Sequence, residues 1–159
     1  MRFEQIDLGY QPHQDRLLLR ISSDENTEFQ FWVTRLMVKN FWAMLLKADE
    51  AFTLQMGAGQ KNKELPKKEE GHFGKPYDEK KREKPWGENP LLVQGVKLDP
   101  KGPLFLLSLV AEERVFSIDL DPGLTRSFFK MISDVVNQLD WGLYLSLENL
   151  PASGSVLLH

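Results

Sequence analysis

Twice along this chain, stretches of alternating apolar and polar residues are followed by apolar residues at helical spacing, and that repeated order limits the fold more than any single motif. From Asp15 to Ser22, Leu17, Leu19 and Ile21 alternate with Arg16, Leu18 and Arg20, the period of a strand with one buried face. The polar cluster Ser22-Ser23-Asp24-Glu25-Asn26 marks a turn. Phe29, Phe31 and Val33 then alternate with Gln30, Trp32 and Thr34, which completes a hairpin. Met37, Phe41, Met44, Leu45 and Ala48 follow at helical spacing up to about Phe52, and an earlier strand over Phe3 to Leu8 joins the same sheet.

The second half repeats this plan. Leu104 and Leu106 take the places of Leu17 and Leu19, and the turn Glu112-Glu113-Arg114 replaces Asp24-Glu25-Asn26. Phe116, Ile118 and Leu120 match Phe29, Phe31 and Val33, while Leu124, Phe128, Met131 and Ile132 match Met37, Phe41, Met44 and Leu45. A single gap-free register aligns all of these, as an internal duplication would. The second helix carries a start signal: Asp121 can cap free amides, Pro122 suits the first helical position, and the apolar stripe opens at Leu124. It is expected to run to about Leu139 and to end at Trp141-Gly142, with Leu143, Leu145 and Leu147 as a short terminal strand.

Between the halves, Gly57 to Pro90 is rich in lysine and glutamate and scattered with glycine and proline. Little apolar surface there offsets the entropy of ordering, so a flexible linker is expected, with Phe73, Tyr77 and Trp86 able to pin its end to the body. The expected architecture is thus α+β, a βββα unit in 1–56 and a related one in 91–147 packed as one domain. A charged linker spans 57–90, and a loose C-terminal tail spans 148–159.

Composition removes several chemistries. The 159 residues contain no cysteine, which excludes disulfides, thiolate catalysis and cysteine-zinc sites. His13, His72 and His159 lie too far apart in sequence to suggest a metal, so no cofactor is expected. The longest apolar run, around Leu104 to Ala111, is far short of a bilayer span of about 20 residues, and Met1-Arg2-Phe3-Glu4 is broken by charge where a leader would be apolar. A cytoplasmic location without membrane contact is the expectation. The net charge of −3 provides no overall attraction to nucleic acid.

Val115-Phe116-Ser117-Ile118-Asp119-Leu120-Asp121-Pro122-Gly123-Leu124-Thr125 resembles the first motif of the haloacid dehalogenase phosphotransferases, an apolar strand leading into Asp-x-Asp-Gly-Thr. The resemblance would make Asp119 the nucleophile and Asp121 a general acid/base beside a magnesium ion. Pro122 interrupts the Asp-Gly step, and too little chain follows for the parallel α/β units such a site requires, so capping by Asp121 is the better account of the same letters. No catalytic residue is expected.

Two faces remain as candidate binding surfaces. On the first hairpin Arg16, Arg20 and Trp32 point away from the apolar side, where two guanidinium groups and an indole could neutralise and stack on single-stranded nucleic acid. On the second, Phe105, Leu107 and Leu109 form the other side of a strand that is apolar on both faces, and one helix can cover only one of them. That side is therefore expected to meet another protein or a second copy of the chain. The primary expectation is a non-catalytic binding or assembly protein; single-stranded nucleic-acid binding is the alternative. The order of elements from Phe3 to Trp141 resembles the Whirly and Pur-alpha single-stranded nucleic-acid-binding proteins. This resemblance implies curved sheets set back to back, with binding along their faces.

Overall fold

The computed structural model describes residues 2–56, 76–143 and 145. Three strands, β1 (Phe3–Gln11), β2 (Arg16–Ser23) and β3 (Glu28–Val33), precede helix α1 (Arg35–Met56). Three more, β4 (Leu91–Lys101), β5 (Leu104–Ala111) and β6 (Arg114–Leu120), precede helix α2 (Pro122–Val136). The α+β class is as expected. All six strands lie in one sheet in the order β1-β2-β3-β4-β5-β6. Each half is an antiparallel meander, and the halves join through a short parallel seam, Phe31 beside Leu91 and Trp32 beside Leu92. Pro100 is tolerated because it lies well beyond that seam, where β4 pairs with β5 alone.

The halves share details beyond strand order. One extra residue bulges from β1 between Phe3 and Gln5, and one from β4 between Val93 and Gly95. These bulges stand opposite Ser23 of β2 and Ala111 of β5, the equivalent ends of their strands. The gap-free register fails at the hairpins, however. Ser23 is bridged to Thr27 across Asp24, Glu25 and Asn26, whereas Ala111 faces Arg114 across Glu112 and Glu113 alone. The missing residue shifts β5 by one place, so that Phe105, Leu107 and Leu109, not Leu104 and Leu106, correspond to Leu17, Leu19 and Ile21. A shift of one exchanges the faces of a strand.

Both helices cover the same side of the sheet. Thr34 opens α1 by accepting the amide of Val38 on its carbonyl oxygen, and Asp121 opens α2 by accepting the amide of Leu124 on its side chain at 2.7 Å. Each helix buries a broad stripe of adjacent pairs, Met37/Val38, Phe41/Trp42 and Leu45/Leu46 on α1, Leu124/Thr125 and Phe128/Phe129 on α2. Such width lets one helix touch the sheet and its neighbour together. Matching positions meet: Phe41 packs on Phe128 at 5.1 Å and Trp42 on Phe129 at 4.8 Å between ring centres. The helices also cross between halves, since Phe52 at the end of α1 packs on Phe105 of β5 and α2 lies against β1.

The sheet is sharply bent. Flat, it would hold its edge strands about 24 Å apart at the usual inter-strand spacing, yet Phe3 of β1 and Phe116 of β6 are 5.0 Å apart at their ring centres. Phe116 also meets Phe29 and Phe31. The core therefore lies inside a curl, with aromatic rings closing one end and the helix pair filling the other.

α2 ends at Val136, before the expected Leu139. Asn137 caps it and clasps the backbone of Leu145 with both ends of its carboxamide. Leu143 and Leu145 form no strand, and Leu147 lies outside the described residues.

Candidate functional site: the outer face of the sheet

With both helices inside the curl, the opposite face of the sheet is the place for a site. Alternation puts Gln5 and Asp7 of β1, Arg16, Leu18 and Arg20 of β2, and Glu28, Gln30 and Trp32 of β3 on that outer face. The second half contributes Lys97, Asp99 and Lys101 of β4, Leu104, Leu106, Ser108 and Val110 of β5, and Val115, Ser117 and Asp119 of β6.

Residues 76–83 run across the first half of this face as a strap. Gln5 holds the strap backbone at two points, donating Nε2 to the Pro76 carbonyl oxygen (3.1 Å) and accepting the Asp78 amide on Oε1 (3.0 Å). Arg20 forks onto Glu79 with both terminal nitrogens, at 2.7 and 2.8 Å, and onto Asp7 at 2.8 and 3.0 Å. The Tyr77 ring packs against the guanidinium groups of both Arg20 (4.3 Å) and Arg82 (5.0 Å), and its hydroxyl donates to Glu28 at 2.5 Å. Arg82 reaches Glu28 at 3.7 Å, with side chains only 4% and 8% exposed. Gln30 donates to the other Glu28 oxygen. Glu83 then bonds across the end of β3, its amide to Asn26 and its carbonyl to the Glu28 amide.

These contacts set the protonation behaviour of the strap. The Arg20 fork holds the Glu79 carboxyl below its ordinary range. Burial, followed by the hydrogen bond to Glu28, raises the Tyr77 hydroxyl well above the usual tyrosine value. Beyond Glu83 the chain turns into the curl, where Trp86 packs on Phe29 at 5.1 Å and Phe116 at 5.9 Å.

The expectation of a flexible 57–90 linker is corrected for 76–90: this stretch is packed, because Tyr77, Glu79, Arg82 and Trp86 each have a partner on the body. The pinning expected of Tyr77 and Trp86 is observed, and 57–75, with Phe73, lies outside the described residues. Of the nucleic-acid candidates, Arg20 has its donors turned to carboxylates. Arg16 has no partner among the described residues, and Trp32 is half-buried beside Leu18 and Leu92.

The expected partner face is also corrected. Phe105, Leu107 and Leu109 point into the curl, with Leu107 and Leu109 only 1% and 2% exposed, for the reason of register given above. The outward aliphatic residues of β5 are Leu104, Leu106 and Val110, joined by Val115 of β6, which is 57% exposed. Ser108 and Ser117 bond to each other in the middle of this face, and Lys101 pairs with Asp119 at 2.6 Å along its margin. Asp119 and Asp121 are thus accounted for by an ion pair and a helix cap.

A third polar cluster fastens the chain beyond α2. Asp15 accepts from Tyr10 at 2.7 Å, from the Trp141 indole at 2.8 Å and from Arg35 at 3.2 Å. The indole and phenol bonds lower the Asp15 pKa. Among the described residues no group of three or more His, Cys, Asp or Glu side chains is placed to hold a metal, and no helix is long and apolar enough to cross a membrane. A cavity of about 20 Å³ between sheet and helices is lined by Leu8, Leu17, Val33, Phe41, Phe128 and other apolar residues, room for little more than one water-sized sphere. The strap and its contacts were not legible as a site, because Lys80, Lys81 and Lys84 make the segment read as solvated; Tyr77 was its one signal. Comparison with known proteins finds no matching family model, no similar curated protein and no similar solved structure.

Proposed function

We propose that this chain is a non-catalytic binding and assembly protein that associates with a second copy through the outer face of β4–β6. The observation supporting this is the contrast between the two halves of that face. In the first, the strap closes over polar residues of β1–β3 and leaves Leu18 and Trp32 half-buried, while the second presents Leu104, Leu106, Val110 and a largely exposed Val115. A two-fold axis passing between Lys97 and Asp99 of β4 would set the lysine of each copy opposite the aspartate of the other. Burying aliphatic side chains supplies about 25 cal/mol per Å². Three strands across and seven residues along cover about 14 by 23 Å, less than the roughly 800 Å² per partner of a standard interface. Association should therefore be weak.

Light scattering across a concentration series up to about 100 µM tests the reading, because an interface below standard size is expected to dissociate at micromolar concentrations or above. A mass rising toward the dimer, and abolished by Val115→Asp, is expected. A constant monomer mass over the whole series overturns it, as does a dimer indifferent to Val115→Asp and Leu106→Asp.

A further inference from the structure

The strap shows what the outer face of β1–β3 can hold, because the chain presents one of its own segments to it. Three features of the contact are those of peptide recognition. Gln5 reads two backbone groups and so takes any side chains at those positions. Arg20 takes the carboxylate of Glu79 with a two-pronged fork, a geometry specific for an acid at that place. Glu28 accepts the Tyr77 hydroxyl, which distinguishes tyrosine from phenylalanine, while the ring stacks on Arg20.

The contact is polar on both sides. Gln5, Asp7, Arg20, Glu28 and Gln30 line the sheet side, and Tyr77, Asp78, Glu79 and Arg82 the strap side. Both surfaces would be wetted on separation, whereas an aliphatic cover would expose apolar area. We propose that this face is a peptide-binding site occupied in cis, and that its partner is a protein carrying a segment with tyrosine two residues before a carboxylate. The strap excludes that partner until it is displaced. This proposal concerns a different surface from the face of β4–β6 and does not depend on it.

The test uses a labelled peptide of residues 76–83, Pro-Tyr-Asp-Glu-Lys-Lys-Arg-Glu, titrated by fluorescence anisotropy into the full chain. The chain carrying Tyr77→Ala and Glu79→Ala should bind it at least about tenfold more tightly than the unaltered chain, and adding Arg20→Ala should reverse the gain. A peptide with phenylalanine for tyrosine should bind more weakly. Equal binding by the two chains, or binding indifferent to Arg20→Ala, overturns the proposal. So does tighter binding of a labelled single-stranded oligonucleotide than of the peptide. Hydrogen exchange on the unaltered protein provides a second check that needs no variant. The Asp78 and Glu83 amides should exchange at least about tenfold faster than the Leu19 amide of β2. Exchange of all three in one global event would mean that the strap never leaves alone, and would equally overturn the proposal.

Discussion

Glu112 occupies the first place of a two-residue hairpin turn with φ at 59°, a conformation crowded for any residue with a Cβ. The neighbouring hairpin between β4 and β5 meets the same demand with Gly102, at φ 58°. Replacing Glu112 with glycine removes the steric term at the cost of a more flexible unfolded chain, and stabilisation of up to about 1 kcal/mol is expected. Urea denaturation measures it; a lower midpoint for Glu112→Gly would show that the turn carries no strain. This detail was half visible in advance. Glu112 and Glu113 read correctly as a turn, but nothing in the letters showed that Arg114 belongs to the strand, and that single residue decided which side of β5 is inside.

Among the elements, the segment beyond α2 is held at Trp141 by one carboxylate, in addition to the Asn137 clasp on Leu145. Asp15 holds Tyr10, Trp141 and Arg35 together, and its pKa is lowered chiefly by the Trp141 indole and then by the Tyr10 hydroxyl. A folded-state pKa below the unfolded value adds stability that is present above about pH 4 and lost as pH falls through the lowered folded value. Asp15→Asn keeps a residue that tolerates φ of 50° while removing the charge. Its unfolding midpoint is expected to lie below that of the unaltered protein from pH 5 to 8 and to converge with it in stronger acid. Equal midpoints at pH 7 would show that the ionised carboxylate contributes nothing. Neither the cluster nor the strap could be read from sequence, because each joins residues far apart in the chain, Asp15 with Trp141 and Arg20 with Glu79.

For the whole molecule, the aromatic closure of the curl makes the halves interdependent. Phe116 touches Phe3, Phe29, Phe31 and Trp86, and so links β6 to β1, to β3 and to the residues leading into β4. Its removal should cost about 3–5 kcal/mol, the range for a buried phenylalanine truncated to alanine. That is a large share of the roughly 5–15 kcal/mol that holds a domain of this kind together. Circular dichroism and tryptophan fluorescence should follow one coincident urea transition in the unaltered protein and a coincident transition at lower urea in Phe116→Ala. Two separated transitions would show that each βββα half is stable alone, and the shared core would then carry less of the stability than its packing implies.

Local signals by themselves determined β1, the hairpins β2–β3 and β5–β6, both helices and the cap of α2, but not β4, and they added a terminal strand at Leu143 and Leu145 that does not form. These follow from local alternation, helical spacing and capping chemistry, all contained within a few adjacent residues. Only tertiary structure decided which face of β5 is buried, that the sheet curls until Phe3 of its first strand touches Phe116 of its last, and that the end of the lysine- and glutamate-rich stretch is a strap. Each of those outcomes depends on a pairing between distant residues: a one-residue difference in hairpin register, a ring-to-ring contact across the sheet, and carboxylates matched to guanidinium groups. A charged side chain has the same letter in solvent as in an ion pair, and only its partner tells the two apart.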